Sequence, residues 1–559
     1  MATDVRTLRS AARARLATRA SIPDWPAAAW GAIFACAAFI AITCWWLTQD
    51  RTIPIYDSGF HLTFAFNVHA ALSAGELGRA SEVTFPYPPL TYLIGTLGIV
   101  IGGVGVAPPI LAENLVFVPL LALGCYQLGR LAFGPLAGLL AVVFALGSPL
   151  IIPQFHVFMT DAPETAMVAV SVWLIIATEG FSRLRFSILA GLAVGFGLLI
   201  KEPFAFFVAG PLVVASVRGA VAIRAGNRGV WRGLIAFAAV ALVIALPWYI
   251  SEYSRLHALG ETTIAAANHS NEAGAGSVYE QDIAPARFSL DNLEWYLWNF
   301  VNFQLYLPLF LFAAAGWIWM VVQALRRRPV SPFAPELLVG AFVAWFALTE
   351  TFVHDTRYSM PMLVYLAVIG TGWIVYLSRP VRLAAAAVLA LVAIANTLAT
   401  SFGVGDTVLA ANGPVSAQGH ATTLQHSGQI VVYSNGGFQV AGPKRDGNML
   451  GMLQALRRAG VLGVTWNVYQ AQEPDFSEVG VNALLYVADL KSLVGIGETE
   501  LTSHDAIFAH EAIKPAEPPP CVTLDDGTGV WVRLGNPKAH GARDYCPLPK
   551  PHLYGPAEP

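Results

Sequence analysis

Charge is scarce in this sequence. Asp, Glu, Lys and Arg make up 12% of its 559 residues, about half the share of a typical soluble domain. Alongside 55% hydrophobic residues, that scarcity excludes a disordered chain, which needs high charge and low hydrophobicity. It also excludes an ordinary cytosolic enzyme. An excess of one sign is missing too: 33 basic residues face 36 acidic ones, so a basic nucleic-acid-binding domain is excluded. Cysteine is sparse, with five in all. Three of them, Cys36, Cys44 and Cys125, lie in apolar stretches and read as small core residues.

Long apolar runs fill the space that charge leaves. Stretches able to cross a bilayer core of about 30 Å recur near 27–49, 109–129, 135–152, 164–180, 186–200, 203–217, 233–250, 300–324, 336–353, 358–377 and 383–402. Eleven transmembrane helices are therefore predicted. After residue 402 no apolar run reaches 18 residues, and charge becomes denser. The expected organisation is a cytoplasmic basic tail over 1–26, a polytopic α-helical membrane domain over 27–402 and a small α/β extracytoplasmic domain over 403–559.

A twelfth apolar stretch, Pro89 to Ala107, is rich in glycine. If it does not span, 17 Lys and Arg of the membrane part fall on one side and 6 on the other. If it spans, the N-terminal tail opposes most of the remaining cations. Positive charge gathers on the cytoplasmic side, so 89–107 is expected to be interfacial or re-entrant. The N-terminus is then cytoplasmic and the C-terminal domain outside, in a multi-pass plasma (inner) membrane protein. All but four of the 21 acids before residue 403 fall in outer loops or at outer helix ends. Chemistry is expected at that face.

The first outer loop, about 50–108, carries Tyr56-Asp57-Ser58-Gly59-Phe60-His61 and then Tyr87-Pro88-Pro89-Leu90-Thr91-Tyr92. Asp57 and His61 are four apart, on one face of a helix. Residues 60–78 read as an amphipathic helix lying at the interface. In the second loop, Thr160 or Asp161 suits an N-cap, and Glu164 would complete a capping box with Asp161. The third, Leu199-Ile200-Lys201-Glu202-Pro203-Phe204, reads as a hairpin tip whose Lys201 is either solvated or a basic site residue. The last, His354-Asp355-Thr356-Arg357-Tyr358-Ser359-Met360-Pro361, places an Arg on the outer face against the general trend. Such a residue is a snorkelling anchor or a phosphate ligand. Residues 251–299 have the composition of a flexible loop, with a lid over the site as the alternative.

These motifs, in this order, resemble the GT-C membrane glycosyltransferases. They are most similar to the dolichyl-phosphate-mannose-protein mannosyltransferase and aminoarabinose-transferase-like branch, over roughly 50–380. The resemblance implies an inverting transferase. It would move a sugar from a polyprenyl-phosphate carrier to an acceptor (a glycan, lipid or protein) at the outer face of the membrane. It implies that Asp57 is the general base or orienting residue for the acceptor hydroxyl, with Asp161 as the second-loop acid. Lys201 and Arg357 would bind the donor phosphate. Tyr87 stands where relatives often carry Lys or His, so a contact there would be a phenol hydrogen bond. His61, Glu164 and Tyr358 would support the site. Asp57 and Asp161 could also hold a divalent metal cation, although no spacing here is a metal motif by itself.

The C-terminal part mixes strand and helix signals. Strands are predicted over 430–433, 464–466, 483–487 and 530–534, a helix over 446–458, and a hairpin turning at Asp526-Gly527. No Gly-x-Gly-x-x-Gly, P-loop or Ser/His/Asp pattern stands out there. Cys521 and Cys546 are its only cysteines, and an oxidising compartment would join them in a disulfide. Two other classes of function compete. A secondary transporter would need internal repeats and midplane charge, and neither is evident. A non-catalytic lipid-binding membrane protein would leave the outer-loop acids incidental.

Overall fold

The computed structural model describes residues 25–54, 56–261, 289–326, 328, 330–349, 355–404, 408–410, 413–415, 430–434, 449–466, 478–492, 505–512, 521–523 and 528–534. The N-terminal tail, the centre of the 251–299 segment, His354, the Asp526-Gly527 turn and Cys546 lie outside the described residues.

Helices come first along the chain. They are α1 (Trp25–Gln49), α2 (Tyr56–Ser73), α3 (Leu77–Glu82), α4 (Leu90–Gly102), α5 (Ala107–Phe133), α6 (Pro135–Leu146), α7 (Ile151–Gln154), α8 (Asp161–Ala177), α9 (Leu184–Leu198), α10 (Phe204–Arg224) and α11 (Gly229–Ser251). Then follow α12 (Leu290–Asn299), a π-helical turn (Phe300–Gln304), α13 (Tyr306–Leu325), α14 (Ala334–Leu348), α15 (Leu363–Gly372, flanked by 3-10 turns) and α16 (Arg379–Phe402). Six are long and apolar enough to cross a membrane: α1 from Ala27, α5, α10, α11, α13 and α16. The other five predicted spans fall on shorter helices of 10–17 residues: α6, α8, α9, α14 and the Met360–Tyr376 stretch around α15.

With apolar surface facing lipid as well as core, close contact between helices rests on small residues. A Cβ on Gly124 of α5 would lie 2.6 Å from Ala169 of α8. One on Gly316 of α13 would lie 2.2 Å from the Ile369 carbonyl of α15. α4 has 13 residues, about 20 Å of helix. It turns back at once into α5, and Gly98 is pressed against Pro108.

All described strands follow residue 404. β1 (Val408–Ala410), β2 (Gly413–Val415) and β3 (Val431–Tyr433) form an antiparallel sheet ordered β2-β1-β3. After α17 (Met449–Arg458) come β4 (Gly463–Trp466), α18 (Glu478–Val487), β5 (Lys491–Ser492), β6 (Asp505–Ala512), β7 (Val522–Thr523) and β8 (Thr528–Leu534). They build a mixed sheet ordered β5-β4-β6-β8-β7. β4 runs parallel to both β5 and β6. Residues 483–487 were expected as a strand and are the end of α18. Their apolar run, Ala483-Leu484-Leu485, is buried on a helix that packs against α17 on one side and α2 on the other. A short apolar run does not separate these two states by itself.

That packing also shows what α2 rests against. Apolar residues surround it instead of forming a single stripe. Leu62, Ala65, Phe66 and Val68 are wholly buried between α4 and α18, and Phe66 stacks on Tyr486 with ring centroids 4.8 Å apart. The end of the 251–299 segment is not loop. α12 carries an aromatic cluster with Trp295 and Tyr296 buried.

Candidate active site

Five segments converge on a cavity of about 260 Å3 beside the starts of α2, α8 and α10. It is lined by Asp57 and His61 from α2, Tyr87 from the loop before α4, and Asp161 and Glu164 from α8. Lys201 and Glu202 come from the α9–α10 turn, and Arg357 and Tyr358 from the turn before α15. All eight side chains singled out in the membrane part of the sequence therefore line one space, joined by Thr160, Pro203, Phe206 and Leu348.

Asp161 is 2% exposed and does not cap its helix. The N-cap, Thr160, makes no side-chain cap bond, and Asp161 Oδ1 accepts a 2.7 Å hydrogen bond from Lys201 Nζ. The predicted capping box is absent because a buried ammonium offers a carboxylate more than a backbone N–H does. Burial alone would raise the Asp161 pKa, but Lys201 and then Arg357 outweigh it and hold it below the usual carboxylate value. Lys201 is no solvated turn residue. Burial opposes its charge, yet Asp161 and Glu164 raise its pKa above the ordinary lysine value. Its ammonium lies 5.1 Å from the centre of the Tyr358 ring.

Arg357 is also buried, which excludes a snorkelling role. Its Nε and Nη2 donate to the two oxygens of Asp355 at 3.0 and 2.6 Å, and Nη2 also donates to Asp57 Oδ2 at 2.8 Å. Among the described residues, Nη1 has only a long 4.0 Å contact to Met159 Sδ. Burial works against its charge, and Asp355 restores it, leaving the pKa above the ordinary arginine value. Asp57, in contrast, keeps half its side chain exposed.

His61 Nδ1 and the Tyr92 hydroxyl share a 2.7 Å hydrogen bond. Burial lowers the His61 pKa to about 4 against the pull of Asp57 and Asp161, so the imidazole is neutral at pH 7. Burial raises the pKa of Tyr87 and of Glu202.

The loops themselves are pinned by residues that sequence reading passed over. Asn114 Nδ2 of α5 donates to the Phe155 carbonyl at 2.7 Å. The Leu90 N–H donates to the Leu199 carbonyl at 3.0 Å, tying the first outer loop to the Lys201 turn. Gln304, at the end of the π turn, donates to the Thr356 carbonyl at 2.7 Å and to Ser359 Oγ at 2.6 Å. Asn299 reaches the same two groups at 3.2 and 3.0 Å. The π turn was the available signal only in hindsight, since such turns gather at functional sites but have no sequence signature. Asp355 stood within a motif already noted and could have been found as the near partner of Arg357.

The expected metal ligands do not assemble as such. Asp161 is matched by Lys201, and Asp57 and Asp355 by Arg357. Among the described residues no three His, Cys, Asp or Glu side chains form a group able to hold an ion. This donor set does not fit a resident divalent cation.

Residues 87–250 match the family model of dolichyl-phosphate-mannose-protein mannosyltransferase. That stretch holds Tyr87, Asp161, Glu164 and Lys201. Among solved structures, apo ArnT from Cupriavidus metallidurans aligns at 13% identity and a TM-score of 0.54, covering 90% of this chain and 98% of that one. The fold is that of the GT-C membrane glycosyltransferases. The same ArnT bound to undecaprenyl phosphate aligns over 62% of this chain and 60% of its own, at 17% identity and a TM-score of 0.44. The Archaeoglobus fulgidus oligosaccharyltransferase aligns at 13% identity and a TM-score of 0.46, over 85% of this chain and 65% of its own. The chain thus spans less than two thirds of the length of these last two GT-C structures. No curated protein matches it.

Proposed function

We propose that the chain is an inverting glycosyltransferase that moves a sugar from a polyprenyl-phosphate carrier to an acceptor hydroxyl at the outer face of the membrane. The observation that carries this reading is the convergence of Asp57, Asp161, Lys201 and Arg357 from four separate segments on one cavity. The matches to a mannosyltransferase family model and to the ArnT fold support it. The multi-pass chain would sit in the plasma (inner) membrane with its N-terminus cytoplasmic. Residues 403–559 would form the extracytoplasmic domain.

The geometry supports the following roles. Asp57 is half exposed to the cavity, and as general base it takes the acceptor proton. The acceptor oxygen then bonds to the anomeric carbon while the carbon–oxygen bond to the carrier phosphate breaks on the opposite face, which inverts the configuration. The leaving phosphate departs with the bonding electrons. Fixed cations stabilise that developing charge in a water-poor site, here the remaining Nζ donors of Lys201 and the Nη1 edge of Arg357. The Tyr87 hydroxyl adds a hydrogen bond. Asp161 holds Lys201 in place, and Asp355 does the same for Arg357. No step is routed through a metal.

Binding of polyprenyl phosphate to the purified chain tests the donor half. Arg357→Ala should weaken it about tenfold or more. Arg357→Lys should recover only part, because a point charge cannot reproduce the planar fork. Unchanged affinity in both variants would contradict the assignment.

A further inference from the structure

Two oxygens in the cavity wall have no hydrogen-bond partner among the described residues: Thr160 Oγ1 and Glu164 Oε1. Thr160 is wholly buried and Glu164 is 2% exposed, and both line the cavity. They stand four residues apart at the start of α8, on one helical face. Local structure offers each of them an alternative that it does not use. Thr160 occupies the N-cap position without making a cap bond. Glu164 leaves the Lys201 ammonium to bond Asp161.

Buried polar atoms are nearly always satisfied in native proteins, because stripping an oxygen of water without a replacement is costly. A pair of such atoms beside two phosphate-binding cations is the pattern of a site that a ligand completes. The ligand must bring groups able both to donate and to accept, since a threonine hydroxyl does both and a carboxyl oxygen needs a donor. Sugar hydroxyls meet that requirement.

We propose that Thr160 and Glu164 are the pair that reads two hydroxyls of the glycosyl unit carried by the donor, making them determinants of sugar specificity. This rests on the glycosyltransferase reading above. Lys201 and Arg357 hold the phosphate, and Thr160 and Glu164 recognise the ring attached to it. A site built to bond a hydroxyl rejects the analogue that lacks it, because its own buried groups are then left unpaired.

The test compares two affinities for the full chain in lipid nanodiscs. One is for bare polyprenyl phosphate. The other is for the best-bound member of a panel of polyprenyl-phosphate mannose, glucose, galactose and arabinose. In the wild type the sugar should add affinity. Thr160→Val and Glu164→Leu should each erode that sugar-dependent gain about tenfold, with no loss of bare-phosphate affinity. Thr160→Ser and Glu164→Gln, which keep a hydrogen-bonding group, should retain most of it. A gain that survives both apolar substitutions, or that is absent from the wild type, overturns the proposal. So does a parallel loss of bare-phosphate affinity, which marks a structural role. A wild-type chain that binds no polyprenyl phosphate overturns the underlying reading instead.

Discussion

Arg357 shows how a residue's role depends on its neighbours. Read along the chain, it was an outer-face cation open to phosphate. In place, two of its three nitrogens are engaged by Asp355 and Asp57. Its position before an apolar helix was legible; its partners were not, because Asp57 lies 300 residues away. Lys201 and Asp161 repeat the lesson, since separate loop signals join into a 2.7 Å ion pair. His61 yields a pH prediction. Its folded pKa of about 4 lies below the ordinary histidine value of 6.5, so the unfolded chain binds the proton more readily. Stability is then full above about pH 6.5 and falls as pH drops towards 4. The lowered pKa of Asp161 extends the decline to lower pH still, by the same linkage. Thermal unfolding followed from pH 8 to 4.5 should show this slope, and His61→Gln should flatten it. A wild-type slope that survives His61→Gln unchanged would contradict the assignment.

Among elements, the long apolar helices were easiest to read, because composition alone identifies a span. Shorter ones such as α6 were located but not their lengths, and α18 was misassigned because burial on two sides erases periodicity. The π turn between α12 and α13 was not legible at all. It sets Asn299 and Gln304 where both reach the Thr356–Ser359 turn. Gln304→Met keeps the length and removes two hydrogen bonds. It should cost about 1–3 kcal/mol of stability and lower turnover about tenfold, because small misplacements of a positioned group are expensive. Wild-type kinetics in a folded Gln304→Met protein would show that the turn does not position Arg357.

For the whole molecule, the rise in charge density after residue 402 coincides with the first described strands, while the contact between the helical and strand-bearing stretches was not legible. α18 seats on α2, the helix that carries Asp57 and His61, so residues after 402 help hold the site's first helix. Docking of this kind depends on shape, which local patterns do not encode. Cys521 in this later part is buried and disulfide-bonded. Pairing with Cys546 would close a loop of 26 residues, contributing roughly 3.5 kcal/mol in the chain-entropy model. Both thiols should resist alkylation in the native chain until reductant is added. Labelling of Cys546 without reductant would contradict the pairing and the outward placement of this domain. The central claim is tested most directly by transfer itself. The full chain in nanodiscs is given polyprenyl-phosphate sugars and an acceptor extract, and both the released polyprenyl phosphate and the anomeric configuration of the product are followed. The account predicts product of inverted configuration from the wild type, and a loss of about 100-fold or more in Asp57→Asn with donor binding retained. Retained configuration, or near-wild-type transfer by a folded Asp57→Asn protein, would contradict it.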